Sequence, residues 1–253
     1  MQSIRTARIA TAAAAATLLL AGTASATAVP GLTTAIRASV SPNHLVRGLT
    51  NAHGMPITLK VAIDITHPAG SRYQLQRVIF KFPNGVGKPN GNLFPSCSAA
   101  TLLRAHNRLS ACPRGSLVGR GRATGTAVDI GVTSSGALTL FNGPGGKSIV
   151  FNVNIITPAL INDTFTAPLQ KTSGRFGYVL TNPIPTDLQN ILDGPIIVRH
   201  IDVTTGLTRV VRGVRRGYIE AFKCPKSHKA PVHADFFFSQ GATSSADSNI
   251  ACH

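Results

Sequence analysis

Residues 57–65 read Ile-Thr-Leu-Lys-Val-Ala-Ile-Asp-Ile, so that Ile57, Leu59, Val61, Ile63 and Ile65 alternate with Thr58, Lys60, Ala62 and Asp64. Side chains of a strand point alternately to its two faces, and this period of two predicts one buried and one wetted face. Ile149, Phe151, Val153 and Ile155 repeat the pattern, as do Val232, Ala234, Phe236 and Phe238. Further strands are expected over 75–82, 117–130, 137–141, 175–181, 196–204 and 217–224. Turn signals separate them, among them Pro83-Asn84-Gly85, Pro89-Asn90-Gly91, Asn142-Gly143-Pro144-Gly145-Gly146 and Thr205-Gly206. Many short strands joined by polar turns predict an all-β fold, an antiparallel β-sandwich.

One short helix interrupts this pattern, expected over 99–109. Ser98 stands ready as its N-cap, and Ala99, Leu102, Leu103 and Leu109 fall on one side. A helix of that length is marginal in water and needs a disulfide or docking to hold it. No internal repeat or low-complexity linker divides the chain. Residues 27–253 are therefore expected to form one domain, with a subdivision conceivable only at the glycine-containing stretch 131–136.

Residues 1–26 carry a basic start (Arg5, Arg8), an apolar run from Ala12 to Gly22 and the small-residue site Ala24-Ser25-Ala26. That is the pattern of a secretory signal peptide, too short in its apolar part to anchor in a bilayer. No later segment has the length of a transmembrane span, so release outside the cell is expected. An even cysteine count outside the cell implies disulfides. Cys97, Cys112, Cys224 and Cys252 allow three pairings, and the sequence-local one, Cys97 with Cys112 and Cys224 with Cys252, is expected because each pair brackets one compact segment. Loops of these sizes contribute about 3 to 4 kcal/mol each in the chain-entropy model.

Cys97-Ser98, a leucine-bearing helix, Cys112-Pro113, Ser116, Val118-Gly119 and Gly121 together resemble a segment of uncharacterised secreted proteins of high-GC Gram-positive bacteria, the actinobacteria. The resemblance continues through Leu140-Phe141-Asn142, the Tyr178 strand and a final pair of strands holding Cys224 and Cys252. It implies a secreted β-rich domain and brings no catalytic residues with it.

Motifs of cofactor and catalytic chemistry break down on inspection. Gly146-Lys147-Ser148 suggests a phosphate loop, yet position 141 is Phe where the first glycine belongs, and a strand pattern follows where a helix is required. Gly119, Gly121 and Gly125 miss the dinucleotide spacing by one residue and precede no helix. Ser116 has Arg114 two places before it, so no nucleophile elbow exists there. No cofactor is implied. Eight Asp and a single Glu, Glu220, lie scattered, and nothing in their spacing selects the carboxylate pair of a glycosidase. The absence of Trp also weakens a sugar-platform reading.

His200 with Asp202, and His233 with Asp235, each share one face of a strand and form half of a nucleophilic triad. A secreted hydrolase built on such a pair is the alternative reading. Cys224, His228, His233, Cys252 and His253 carry metal-capable atoms, but their spacing matches no strong zinc pattern and the cysteines are better used in a disulfide. No metal site is assigned.

Charge points to a partner. Twenty-five Lys and Arg against nine acids give +16, or +14 once the leader with Arg5 and Arg8 is removed. Arg209, Arg212, Arg215 and Arg216 form the densest cluster, and Arg120 and Arg122 share a face of a second strand. Such a surface attracts polyanions. Export and the lack of interleaved aromatics argue against nucleic acid. Anionic cell-wall polymers or glycans are the expected partners, and a non-catalytic structural or adhesive role in the cell envelope is the expected function.

Overall fold

The computed structural model describes residues 27–253 apart from 51 and 193; the expected signal peptide, 1–26, lies outside the described residues. The chain opens with β1 (Thr27–Ala28), β2 (Thr33–Ser41), β3 (Met55–Thr66), β4 (Leu75–Pro83) and β5 (Gly87–Pro89), then the helix α1 (Ala99–Arg104). Long strands follow: β6 (Leu117–Ala127), β7 (Val132–Asn142), β8 (Ser148–Thr157), β9 (Ile161–Lys171) and β10 (Phe176–Pro183). A one-turn helix α2 (Thr186–Gln189) leads to β11 (Asn190–Ile191) and β12 (Gly194–Thr205). The hairpin β13 (Thr208–Val211) and β14 (Val214–Gly217) precedes β15 (Ile219–Ala221), β16 (Lys229–Phe238) and β17 (Ala242–Ala251).

Apart from the β13–β14 hairpin, the strands form one sheet in the order β1-β17-β16-β4-β10-β9-β8-β7-β6-β12-β3-β15-β5. β2 pairs with Thr58–Thr66 of β3, beside the stretch Met55–Ile57 that β15 takes. Among the described residues, every pairing except β1 with β17 is antiparallel. The sheet curls until β2 lies beside β17. There the Thr34 and Ser244 hydroxyls are 2.9 Å apart, and the Ala38 N–H donates to Ser248 Oγ at 3.1 Å. The two layers of the sandwich are thus opposite walls of one folded-over sheet. Its inner face gathers the alternating residues into one core, including Ile63, Leu75, Phe80, Phe151, Leu180 and Phe236.

Residues 131–136 run from a turn into β7, which is paired with β6 along its length, so the sheet is continuous across that stretch. Gly146-Lys147-Ser148 leads from a hairpin turn straight into β8. The helix is shorter than expected. Ser98 caps it, its Oγ accepting from the Thr101 N–H at 3.1 Å, but His106 and Asn107 adopt positive φ and end it. Only its Leu102 is buried, against Cys97, Phe141 and Val150 on the outer face of β7 and β8, while Leu103 and Leu109 are exposed. The expected strand over 217–224 shrinks to β15. No helix of the described residues is long and apolar enough to cross a membrane.

The disulfides are Cys97–Cys112, beneath α1, and Cys224–Cys252, which ties the entry into β16 to the end of β17. β6 and β12 approach closely because β6 carries glycines on its inner side: a Cβ on Gly121 would stand 2.1 Å from the Asp202 carbonyl oxygen, and one on Gly125 would stand 2.5 Å from that of Ile197. The clash is with backbone, which cannot rotate away. Gly121→Ala is expected to cost about 1 to 3 kcal/mol, as overpacking does, and to lower the thermal midpoint measured by circular dichroism.

Candidate functional site

The arginines singled out from the sequence divide into three groups. Arg209, Arg212, Arg215 and Arg216 lie on β13 and β14, a hairpin turning at Arg212 and Gly213, both with positive φ. Arg209 and Arg216 are directly opposed and so share one face. Arg209 donates to the Leu93 carbonyl at 2.7 Å and lies 6.0 Å from the centroid of the Phe94 ring. Arg212 and Arg215 are exposed, and the contact of Arg215 is the Thr208 hydroxyl at 3.5 Å. Arg120 and Arg122 point outward from β6, exposed, opposite Thr204 and Asp202 of β12. Among the described residues none of Arg120, Arg122, Arg212 and Arg215 forms an ion pair within 4.0 Å. Arg120 stands opposite Thr204, so this strand and the arginine hairpin adjoin at one end of the sheet.

Arg216 is different. It makes a two-pronged pair with Glu220, Nε to Oε1 at 2.8 Å and Nη2 to Oε2 at 2.9 Å, and the Gly217 N–H donates to Oε1 at 2.9 Å. Glu220 is wholly buried, and Arg216 is only 15% exposed. Burial alone would raise the Glu220 pKa, but the hydrogen bonds from Arg216, Gly217 and Asn90 outweigh it and hold the carboxyl below its ordinary range. Arg216 is therefore an internal anchor, its charge spent on Glu220 and not presented at the surface. The lone glutamate next to an arginine cluster was the signal for this pair, which spacing arguments for catalytic acids passed over.

The His/Asp strands assemble more carboxylates than the sequence paired. His200 Nδ1 lies 2.7 Å from Asp64 Oδ1, its Nε2 lies 3.7 Å from Asp202, and Arg37 completes the group at 2.6 Å from Asp64. The His200 hydrogen bond, aided by Arg37, lowers the Asp64 pKa. His233 has Asp247 and Asp235 each at 2.9 Å, one on either ring nitrogen, and Lys81 lies 2.7 Å from Asp235. A triad needs one imidazole nitrogen on a carboxylate and the other on a hydroxyl. Here each ring has a carboxylate beside both of its nitrogens, His200 between Asp64 and Asp202 and His233 between Asp247 and Asp235, so neither ring keeps a nitrogen for a hydroxyl.

Cys224 and Cys252 are bonded to each other, His228 Nδ1 lies 3.1 Å from the Cys252 carbonyl oxygen, and the His228 ring stacks on His253. Among the described residues no group of three or more His, Cys, Asp and Glu comes together to hold a metal ion. Sequence reasoning also passed over Asn142, taken as part of a turn. It is buried, and its amide donates to the carbonyls of Gly91, Phe94 and Pro95 at 2.9 to 3.2 Å, latching the segment before α1 to the end of β7.

No family model, curated protein or solved structure matches the chain.

Two outcomes follow from these ion pairs. Glu220→Gln leaves Arg216 without its counter-charge and is expected to cost about 3 to 5 kcal/mol in denaturant unfolding. Because the folded-state pKa of Glu220 is lowered, its contribution in the wild type is present above 4.5 and is lost as pH falls through the folded value. His233 behaves oppositely. Burial lowers its pKa, but the hydrogen bonds to Asp247 and Asp235 outweigh this and raise it. Its contribution is full below 6.5 and is lost as pH rises through the folded value. His233→Gln is expected to flatten the decline of the thermal midpoint above that pH.

Proposed function

We propose that the protein is a secreted, non-catalytic module of the cell envelope or extracellular space that binds anionic wall polymers or glycans through its basic outer surface. The observation that carries this reading is the set of exposed arginines with no ion-pair partner among the described residues, Arg120 and Arg122 on β6 and Arg212 and Arg215 on the hairpin. Arg209, also exposed, borders them. An excess of fourteen positive charges once the leader is removed, over nine acids, leaves a long-range field that draws polyanions and weakens with salt. Two disulfides and the lack of a membrane-crossing helix among the described residues fit an extracellular protein of this kind. The leader-like residues 1–26 and the resemblance of the Cys97 to Gly121 segment to secreted actinobacterial proteins support the same compartment.

Binding is expected to need the four unpaired arginines and to leave Arg216 in its structural role. Purified protein should be retained on isolated cell walls at low salt and released by added sodium chloride. The quadruple variant R120A/R122A/R212A/R215A should bind more weakly, with a shallower salt dependence and an unchanged thermal midpoint. Equal retention of variant and wild type, or retention that ignores salt, would count against this reading.

A further inference from the structure

We propose that the closed sheet holds a binding site for one elongated, uncharged lipid-like molecule, apolar along its middle and carrying a hydroxyl or carbonyl group toward each end. The site is the cavity inside the fold, of about 280 Å³, with walls that are almost wholly apolar. Packed interiors contain few voids larger than a water molecule. An apolar cavity of roughly 150 Å³ already takes up benzene, and dedicated ligand pockets begin near 300 Å³.

Strand register gives the cavity its direction. Ile57, Thr205 and Tyr218 line it where β3, β12 and β15 meet, and Asn182, Leu188 and Ile196 line it where β10 ends and β12 begins. These are opposite ends of the sheet. Between them the lining carries Phe80, Phe151, Leu138 and Leu180, together with the small Ala123 and Gly125 of β6.

Each end carries one buried polar side-chain atom without a hydrogen-bond partner among the described residues. At one end it is the Tyr218 hydroxyl, on a residue 1% exposed; at the other it is the Asn182 side-chain oxygen, on a residue 7% exposed. Native proteins rarely leave such groups unpaired, because each forfeits the hydrogen bonds it had in water. A single water cannot serve both ends, and the apolar walls offer it too few partners. The Asn182 oxygen accepts and so calls for a hydroxyl donor; the Tyr218 phenol can donate or accept. Burial raises the pKa of Tyr218, so the phenol stays neutral. Lys88 is the one charged side chain among the lining residues, which are otherwise apolar or neutral.

A surface depression near the Asn182 end completes the picture. It is bordered by Leu160 and Leu192, 73% and 66% exposed, and by Thr186 and Asp187 of α2, while Leu188 of the same turn faces the cavity.

The test is displacement of the neutral fluorescent probe N-phenyl-1-naphthylamine from the purified full chain, with 1,12-dodecanediol, dodecanol and dodecanoate as competitors. The expected result is one probe per chain, displaced best by the diol, next by the alcohol and least by the carboxylate. Tyr218→Phe and Asn182→Leu, which remove the unpaired atoms, should each weaken the diol about tenfold, the effect of one lost hydrogen bond, without lowering the thermal midpoint. Ala123→Leu, which fills the cavity, should abolish probe binding in a chain whose circular dichroism is unchanged; the other two variants decide the matter if it does not fold. Absence of saturable probe binding, dodecanoate as the best competitor, or diol affinities unmoved by both Tyr218→Phe and Asn182→Leu would overturn the proposal.

Discussion

The fold rests on the meeting of β2 with β17. A sheet of this extent has two open edges, and a strand edge with free N–H and C=O groups invites pairing with another chain. Here the edges find each other, and the seam uses hydroxyl groups in place of a backbone ladder: Thr34 with Ser244, and Ala38 with Ser248. The spacing of four positions from Thr34 to Ala38 and from Ser244 to Ser248 keeps these contacts on the same side of their strands. Hydroxyl contacts tolerate the parallel run of β2 along β17, where no antiparallel register is available. Cys224–Cys252 secures the same region covalently, since it holds the last residues of β17 to the start of β16. Without the seam the inner faces of β2 and β17 would be wet, and the rest of the sheet would have no opposite wall.

Closure fixes the perimeter of the interior, and side-chain size then decides how full it is. One wall is bulky, with Phe80 and Phe82 on β4, Phe151 on β8 and Phe165 on β9. On its inner side β6 presents Gly119, Gly121, Ala123 and Gly125. The glycines are set by the approach of β12, whose carbonyls leave no room for a Cβ, so the small inner face of β6 is a consequence of how tightly the sheet bends there. The result is a cavity of about 280 Å³. At about 24 cal/mol per Å³ an empty void of that size corresponds to roughly 7 kcal/mol, comparable with the whole stability of about 5 to 15 kcal/mol of an ordinary domain. A chain that keeps such a void open has a large reserve of burial to offset it, and a bound molecule would recover much of the difference.

Much of this was legible in the sequence where period two coincides with large side chains. Ile57 to Ile65, Ile149 to Ile155 and Val232 to Phe238 all lie in strands, with the alternate residues inward. β17 was not legible that way. Its inner residues Ala242, Ser244, Ala246 and Ser248 alternate as faithfully, but they are too small or too polar for a hydropathy pattern, and only the resemblance placed a strand before Cys252. β2 hides because Thr34 and Ala38 interrupt the large inward residues Ile36 and Val40, and β9 because Pro168 reads as a strand breaker although it sits exposed within a paired strand. The helix was overextended because leucine spacing says nothing about the positive φ that His106 and Asn107 adopt. Among the site residues, a linear cluster of four arginines could not reveal that alternation along β13 and β14 turns Arg216 toward Glu220. The cavity was invisible altogether, since it arises from which walls face each other.

The same alternation lets one strand serve two surfaces. On β6, Arg120 and Arg122 face outward while Gly119, Gly121 and Ala123 face the interior. Changing the outer residues alters the field the protein presents without touching the cavity, and changing the inner ones does the reverse. The exception is the end of the sheet where Tyr218 sits between Gly217, whose N–H binds Glu220, and β15. There the buried Arg216–Glu220 pair, the arginine hairpin and one end of the cavity share a few residues of backbone. Charge on the hairpin and occupation of the cavity are therefore mechanically separate along most of the molecule and joined at this one place, where a carboxylate held by Arg216 fixes the turn that sets the Tyr218 ring against the cavity.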